Sequence, residues 1–170
     1  MSKKIVIFIF FVYQTVLIGA EPILATLNNI DSNEIQKFKI AQKSFYCRPY
    51  GVTSIDKLYS NSQNNSSCKK SIESFYKKNP YSKYFALKIL KTKQMYHIEH
   101  KNDSCIVYAK GAKSYSELLL ERGLAVIKPL FKDEEFSSSF KKAQVRAKSS
   151  KLGIWKSNLL IECTTESYVE

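Results

Sequence analysis

The chain predicts an α+β fold: a small closed β-barrel of about five strands with three helices packed on it. Three observations carry this. Short segments in the first two thirds alternate apolar and polar residues, the period of a half-buried strand. A polar Ser/Asn run, residues 60–68, introduces a helix between those strands. Two further helices with clear start and stop signals follow the last strand, an order that suits helices laid on one sheet system.

The first residues, 1–20, read as a signal peptide. Lys3 and Lys4 precede an apolar stretch from Ile5 to Gly19, and Ala20 is a small residue suited to cleavage. This segment is short of the roughly 20 apolar residues of a permanent span, so no stable membrane span is expected after cleavage. Secretion or a periplasmic location follows, with residues 21–29 as a lead-in, 30–157 as the domain and 158–170 as a tail. In the domain, Ile35, Phe38, Ile40, Phe45 and Cys47 mark two strands. The Ser/Asn run then caps a helix with Cys68, Ile72, Phe75 and Tyr76 on one face, stopped at Asn79-Pro80. Alternation at Phe85, Leu87 and Ile89 predicts a strand continuing towards His100, and "CIVYAKG" predicts another ending at Gly111. Ser114 and Glu117 form a capping box, with Gly123 as terminator. Phe136, Phe140, Ala143 and Ala147 give the last helix one apolar face, and its other faces carry Lys141, Lys142, Arg146, Lys148 and Lys151.

The formal charge is +12, and removing two lysines with the leader leaves 12 − 2 = +10. A basic exported domain suggests a polyanionic partner. The four cysteines, Cys47, Cys68, Cys105 and Cys163, are spaced too widely for a zinc knuckle. Export makes disulfides the natural reading, with all three pairings open. His97 and His100 read as surface residues without a metal partner.

Two stretches then show a likeness to a known family. "AQVRAKSSKLGIW", 143–155, and "SELLLERGLAVIKPLF", 116–131, resemble the last two helices of the staphylococcal-nuclease-like (thermonuclease) family, covering residues 114–157. The resemblance implies a five-stranded OB-type barrel, with Trp155 plugging the base of the core. It also implies calcium-dependent cleavage of DNA or RNA, single-stranded substrate being expected, by a monomer. "RPYGVTSID", 48–56, fits the family's second motif: Arg48 takes the place of a phosphate-binding arginine and Asp56 that of the carboxylate that orients water. "IDSNEI", 30–35, stands where the family has its first metal-binding motif. By that register Asp31, Asn33 and Thr53 occupy the calcium positions, and a slip of one residue brings Glu34 there instead. Lys101 and Asn102 fall at the second arginine, and Phe131 at the ring that stacks a base. Asn33 and Thr53 replace carboxylates, and no arginine lies between Arg48 and Arg122. Ca2+ binding is therefore expected to be weak or lost. The expected function is an exported nuclease with an incomplete active-site set, the alternative being a decayed barrel that binds nucleic acid or protein at the cell envelope.

Overall fold

The computed structural model describes residues 22–156 together with Leu159 and Cys163. The segment read as a signal peptide, and nearly all of the tail, lie outside the described residues. Strand β1 (Ile23–Ile30) pairs antiparallel with both β2 (Gln36–Ile40) and β5 (Met95–Lys101). Adding β3 (Lys43–Cys47), β6 (Ser104–Lys110) and β7 (Lys113–Ser114) gives a six-stranded sheet in the order β3-β2-β1-β5-β6-β7. A separate ribbon pairs β4 (Val52–Ser54) with β8 (Ala125–Ile127). The architecture is mixed α+β and consistent with an OB fold. Strand β1 lies where the sequence suggests only a lead-in. Its inward residues are Ala25 and Leu27, and Asn28-Asn29 interrupts the apolar alternation that would have revealed it.

The ladder is open as hydrogen-bonded, and one point draws its ends together. Just after β3, the amide of Cys105 donates to Arg48 O (2.8 Å) and that of Tyr50 to Cys105 O (3.2 Å). Pro49 and Cys105 form a parallel bridge there, and the Cys47–Cys105 disulfide lies beside it. A cross-link over 58 residues contributes about 4 kcal/mol in the chain-entropy account. The other disulfide joins Cys68 to Cys163.

Helices α1 (Ile55–Asn61), α2 (Ser66–Lys78), α3 (Pro80–Lys83) and α4 (Phe85–Ile89) fill the connection from β4 to β5. The predicted strand at 85–89 is therefore a helical turn. Phe85 and Ala86 are both buried while Leu87 is exposed, a pattern of neighbours rather than alternation. Strand β5 starts only at Met95. Helix α5 (Tyr115–Glu121) begins as predicted, Ser114 accepting the Glu117 amide at its N-cap. It ends in a Schellman motif, with Gly123 N–H to Leu120 O and Leu124 N–H to Leu119 O, and Gly123 at φ +63°.

Helix α6 (Ser137–Ser149) lays Phe140, Ala143 and Ala147 on the core. After it, Gly153 meets Gly123 backbone to backbone: a Cβ on Gly153 would stand 2.1 Å from Gly123 O. This approach sets the following turn, Gly153–Lys156. Ile154 is the plug, with no exposed surface. Trp155, expected to be the buried residue, is half-buried: its ring lies under the Lys148 ammonium at 5.5 Å. The turn points Ile154 inward, so its neighbour in the chain takes the rim.

Ile154→Ala should cost about 2–5 kcal/mol, and Trp155→Ala no more than that, in urea denaturation. A clearly larger loss at Trp155 would restore the tryptophan as the plug. Replacing Cys47 and Cys105 together by alanine should lower stability by about 2–4 kcal/mol, read in the same assay without reductant.

Candidate functional site

Three elements meet beside the Pro49–Cys105 bridge: the β1–β2 turn, the segment from Arg48 into α1, and the turn after β8. The β1–β2 turn is tightened by Ser32, whose Oγ accepts the amides of Glu34 and Ile35, each at 3.1 Å. That geometry buries Asn33 and turns Glu34 towards Arg48. Ser54, the N-cap of α1, accepts the Lys57 amide and donates its hydroxyl to Glu34 Oε2 at 2.7 Å. The same helix start therefore positions both Glu34 and Lys57. After β8, the Lys128 amide donates to Gly51 O (3.0 Å), which holds Lys128 against the same opening.

The result is a cleft of about 560 Å3 lined by Glu34, Arg48, Thr53, Lys57, Asp103 and Lys128, among others. Arg48, Lys57 and Lys128 bear electrostatically on Glu34. Burial lifts the Glu34 carboxyl above its ordinary 4.5, and the Ser54 bond with those three cations pulls it back only in part. Among the described residues none of the three cations is in an ion pair. They form a cationic surface around the nearly buried Glu34 carboxylate.

The residues expected from the sequence divide between this cleft and other places. Arg48 and Thr53 line it. Asp56 faces the opposite side of α1, its carboxylate accepting the Asn33 amide (2.8 Å) and the Tyr76 hydroxyl. That contact, together with burial, holds the Tyr76 phenol well above its usual range, burial being the larger cause. Asn33 turns its side chain away from the cleft: Nδ2 donates to Ser82 O and Lys83 O, and Oδ1 accepts the Ala86 amide. Asp31 is exposed and accepts from the Asn29 amide group. Lys101 pairs with Glu99 at 3.5 Å and lies over the Tyr50 ring. Asn102 adopts φ +57° in the tight β5–β6 turn, a turn-former's conformation, and Asp103 beside it reaches the cleft instead. Phe131 stacks on Phe140 (5.6 Å), meets Tyr50 edge-on (5.3 Å) and covers Gly51. A Cβ on Gly51 would come within 2.6 Å of its ring. Lys57, Lys128 and Asp103 were not found from the sequence. Only Glu34 carried a signal, through the one-residue slip.

These donors do not fit a calcium site. Calcium takes roughly six to eight oxygen ligands, with carboxylates among them. The cleft offers Glu34 and Asp103 with the neutral Thr53, while Asn33, Asp31 and Asp56 are engaged elsewhere. Three cations compete for the same negative charge. Among the described residues, no group of three or more His, Cys, Asp or Glu could hold a metal ion.

The family model described as staphylococcal nuclease homologue matches residues 25–157. No curated protein matches the chain.

Because the folded Glu34 carboxyl sits above its ordinary value, it stabilises the fold below about pH 4.5 and loses that contribution as pH rises through the folded value. Glu34→Gln keeps the shape without the titration. The stability of wild type relative to this variant should therefore fall as pH rises above about 4.5, measured as urea midpoints over a pH series. A difference that is flat or rises with pH would contradict the burial-driven shift.

Proposed function

Since the chain belongs to the staphylococcal nuclease homologue family, we propose that it binds the phosphodiester backbone of nucleic acid in the cleft of Arg48, Lys57 and Lys128. The single observation that carries this is the convergence, from three elements on one opening, of three cations without ion-pair partners among the described residues. Each cation that neutralises a phosphate releases condensed counterions, so such a site gains affinity as salt falls. Glu34 opposes the anion from within the cleft. Its Ser54 bond and burial hold it in place, and its charge keeps the site from closing too tightly on phosphate. The protein acts outside the cytoplasm, a reading supported by two disulfides and by the leader-like segment 1–20. It acts as a monomer on DNA or RNA, with single strands preferred.

A second reading, hydrolysis, rests on Glu34. A buried carboxylate with a raised pKa, facing cations that would hold a phosphate, has the character of a general base. Asp56, the residue aligned with the family's water-orienting carboxylate, is tied to Asn33 and Tyr76 on the other side of α1. The cleft therefore binds its strand without calcium-driven cleavage.

Binding of a labelled single-stranded oligonucleotide should weaken steeply between low and physiological salt. Arg48→Ala should lower the slope of log K against log salt by about 0.7, and Glu34→Gln should tighten binding. Added calcium and added chelator should leave an in-gel nuclease assay equally blank. Cleavage that Glu34→Gln abolishes would establish the second reading; affinity indifferent to salt would remove the first.

A further inference from the structure

Across Glu34 from the phosphate cleft lies a second cleft, of about 670 Å3, between the β1–β2 turn, α1, α2 and the joint of α3 and α4. Three tyrosines line it: Tyr59, Tyr76 and Tyr84. Tyr76 is fixed, its hydroxyl donating to Asp56. The other two present their rings to solvent, Tyr84 at 55% exposure and Tyr59 at 36%. Each carries an ammonium over its ring, Lys69 at 5.4 Å from Tyr59 and Lys83 at 6.0 Å from Tyr84. Lys77 and Lys83 also line the opening. Exposed rings set among lysines are the chemistry of a base-stacking platform.

The two clefts are contiguous. Glu34 lines both, and the consecutive α1 residues Asp56 and Lys57 face one each. A nucleotide is likewise two-ended, with an anionic phosphate joined through the sugar to a flat, largely apolar base. We infer that the tyrosine cleft receives a base of the strand whose phosphate lies on Arg48, Lys57 and Lys128, with Tyr59 and Tyr84 as the stacking rings. The inference rests on the phosphodiester reading above. The lining argues for a base over an acyl chain or an aliphatic side chain. Asp56 and Glu73 present carboxylates there, already bonded to Asn33, Tyr76 and Tyr59; each carboxylate oxygen has a further lone pair that accepts an N–H from a base edge and that an aliphatic occupant would strip of water.

The test compares a short labelled single-stranded oligodeoxynucleotide with an abasic strand of the same length, at one salt concentration, by fluorescence anisotropy. Wild type should bind the base-bearing strand roughly 5- to 150-fold more tightly, the span that stacking of one base contributes. In the double variant Tyr59→Ala, Tyr84→Ala that ratio should fall close to one while affinity for the abasic strand is unchanged, which also shows that the variant is folded. Equal affinity of wild type for both strands would overturn the base cleft and leave the phosphodiester reading standing. A ratio that persists in the double variant would place base recognition elsewhere and also overturn it. If neither strand binds wild type, both readings fall together.

Discussion

Asn33 is the residue on which the arrangement beside the barrel turns. Its backbone amide donates to Asp56, its carbonyl accepts from Tyr115 and Gln36, and its side chain bonds the backbone at Ser82, Lys83 and Ala86. One buried residue of the β1–β2 turn thus joins α1, α5 and the α3–α4 joint. A buried amide with all its partners is stable, and the loss of any one would leave groups costing about 1–3 kcal/mol each. With Asn33 committed inward, Glu34 is the carboxylate of the turn that faces the cations. The same network decides that Asp56 looks away from them. A residue that the family's pattern assigns to a metal here spends its polar atoms on architecture. The charge balance of the cleft follows, with three cations set against Glu34 and Asp103.

Much of the fold was legible because local rules and tertiary packing agree. The Ser114 cap, the left-handed Gly123 and the four-and-three spacing of α6 are each dictated within a few residues, and each stands where the sequence placed it. The failures came where tertiary contact overrides a local pattern. Phe85, Leu87 and Ile89 alternate like a strand, yet Asn33 captures the Ala86 amide and the segment coils. Trp155 is the larger ring, but the Gly123–Gly153 contact gives the inward position to Ile154.

The site was legible only in part, for a related reason. Arg48 and Thr53 sit inside a motif and were found by spacing. Lys57 follows Asp56 directly, and one step along a helix turns a side chain by about 100°, so neighbours in sequence can serve opposite clefts. Lys128 and Asp103 reach the opening only because the chain folds back through Gly51 and through the β5–β6 turn. No linear spacing encodes such a convergence. Composition nonetheless indicated its sign, since the surplus of lysine is what furnishes the opening.

The two cross-links are also arranged in a particular way relative to each other. Read along the chain, the bonded positions run 47, 68, 105, 163, and the pairs are 47 with 105 and 68 with 163. The loops overlap without nesting, so residues between 68 and 105 belong to both. Cutting the backbone at any one place between Cys47 and Cys163 therefore leaves both pieces on a single covalent graph. A peptidase that nicks the long helical connection changes the connectivity of the molecule without dividing it. Against a peptidase, that is durability by topology, independent of how tightly any one helix is packed.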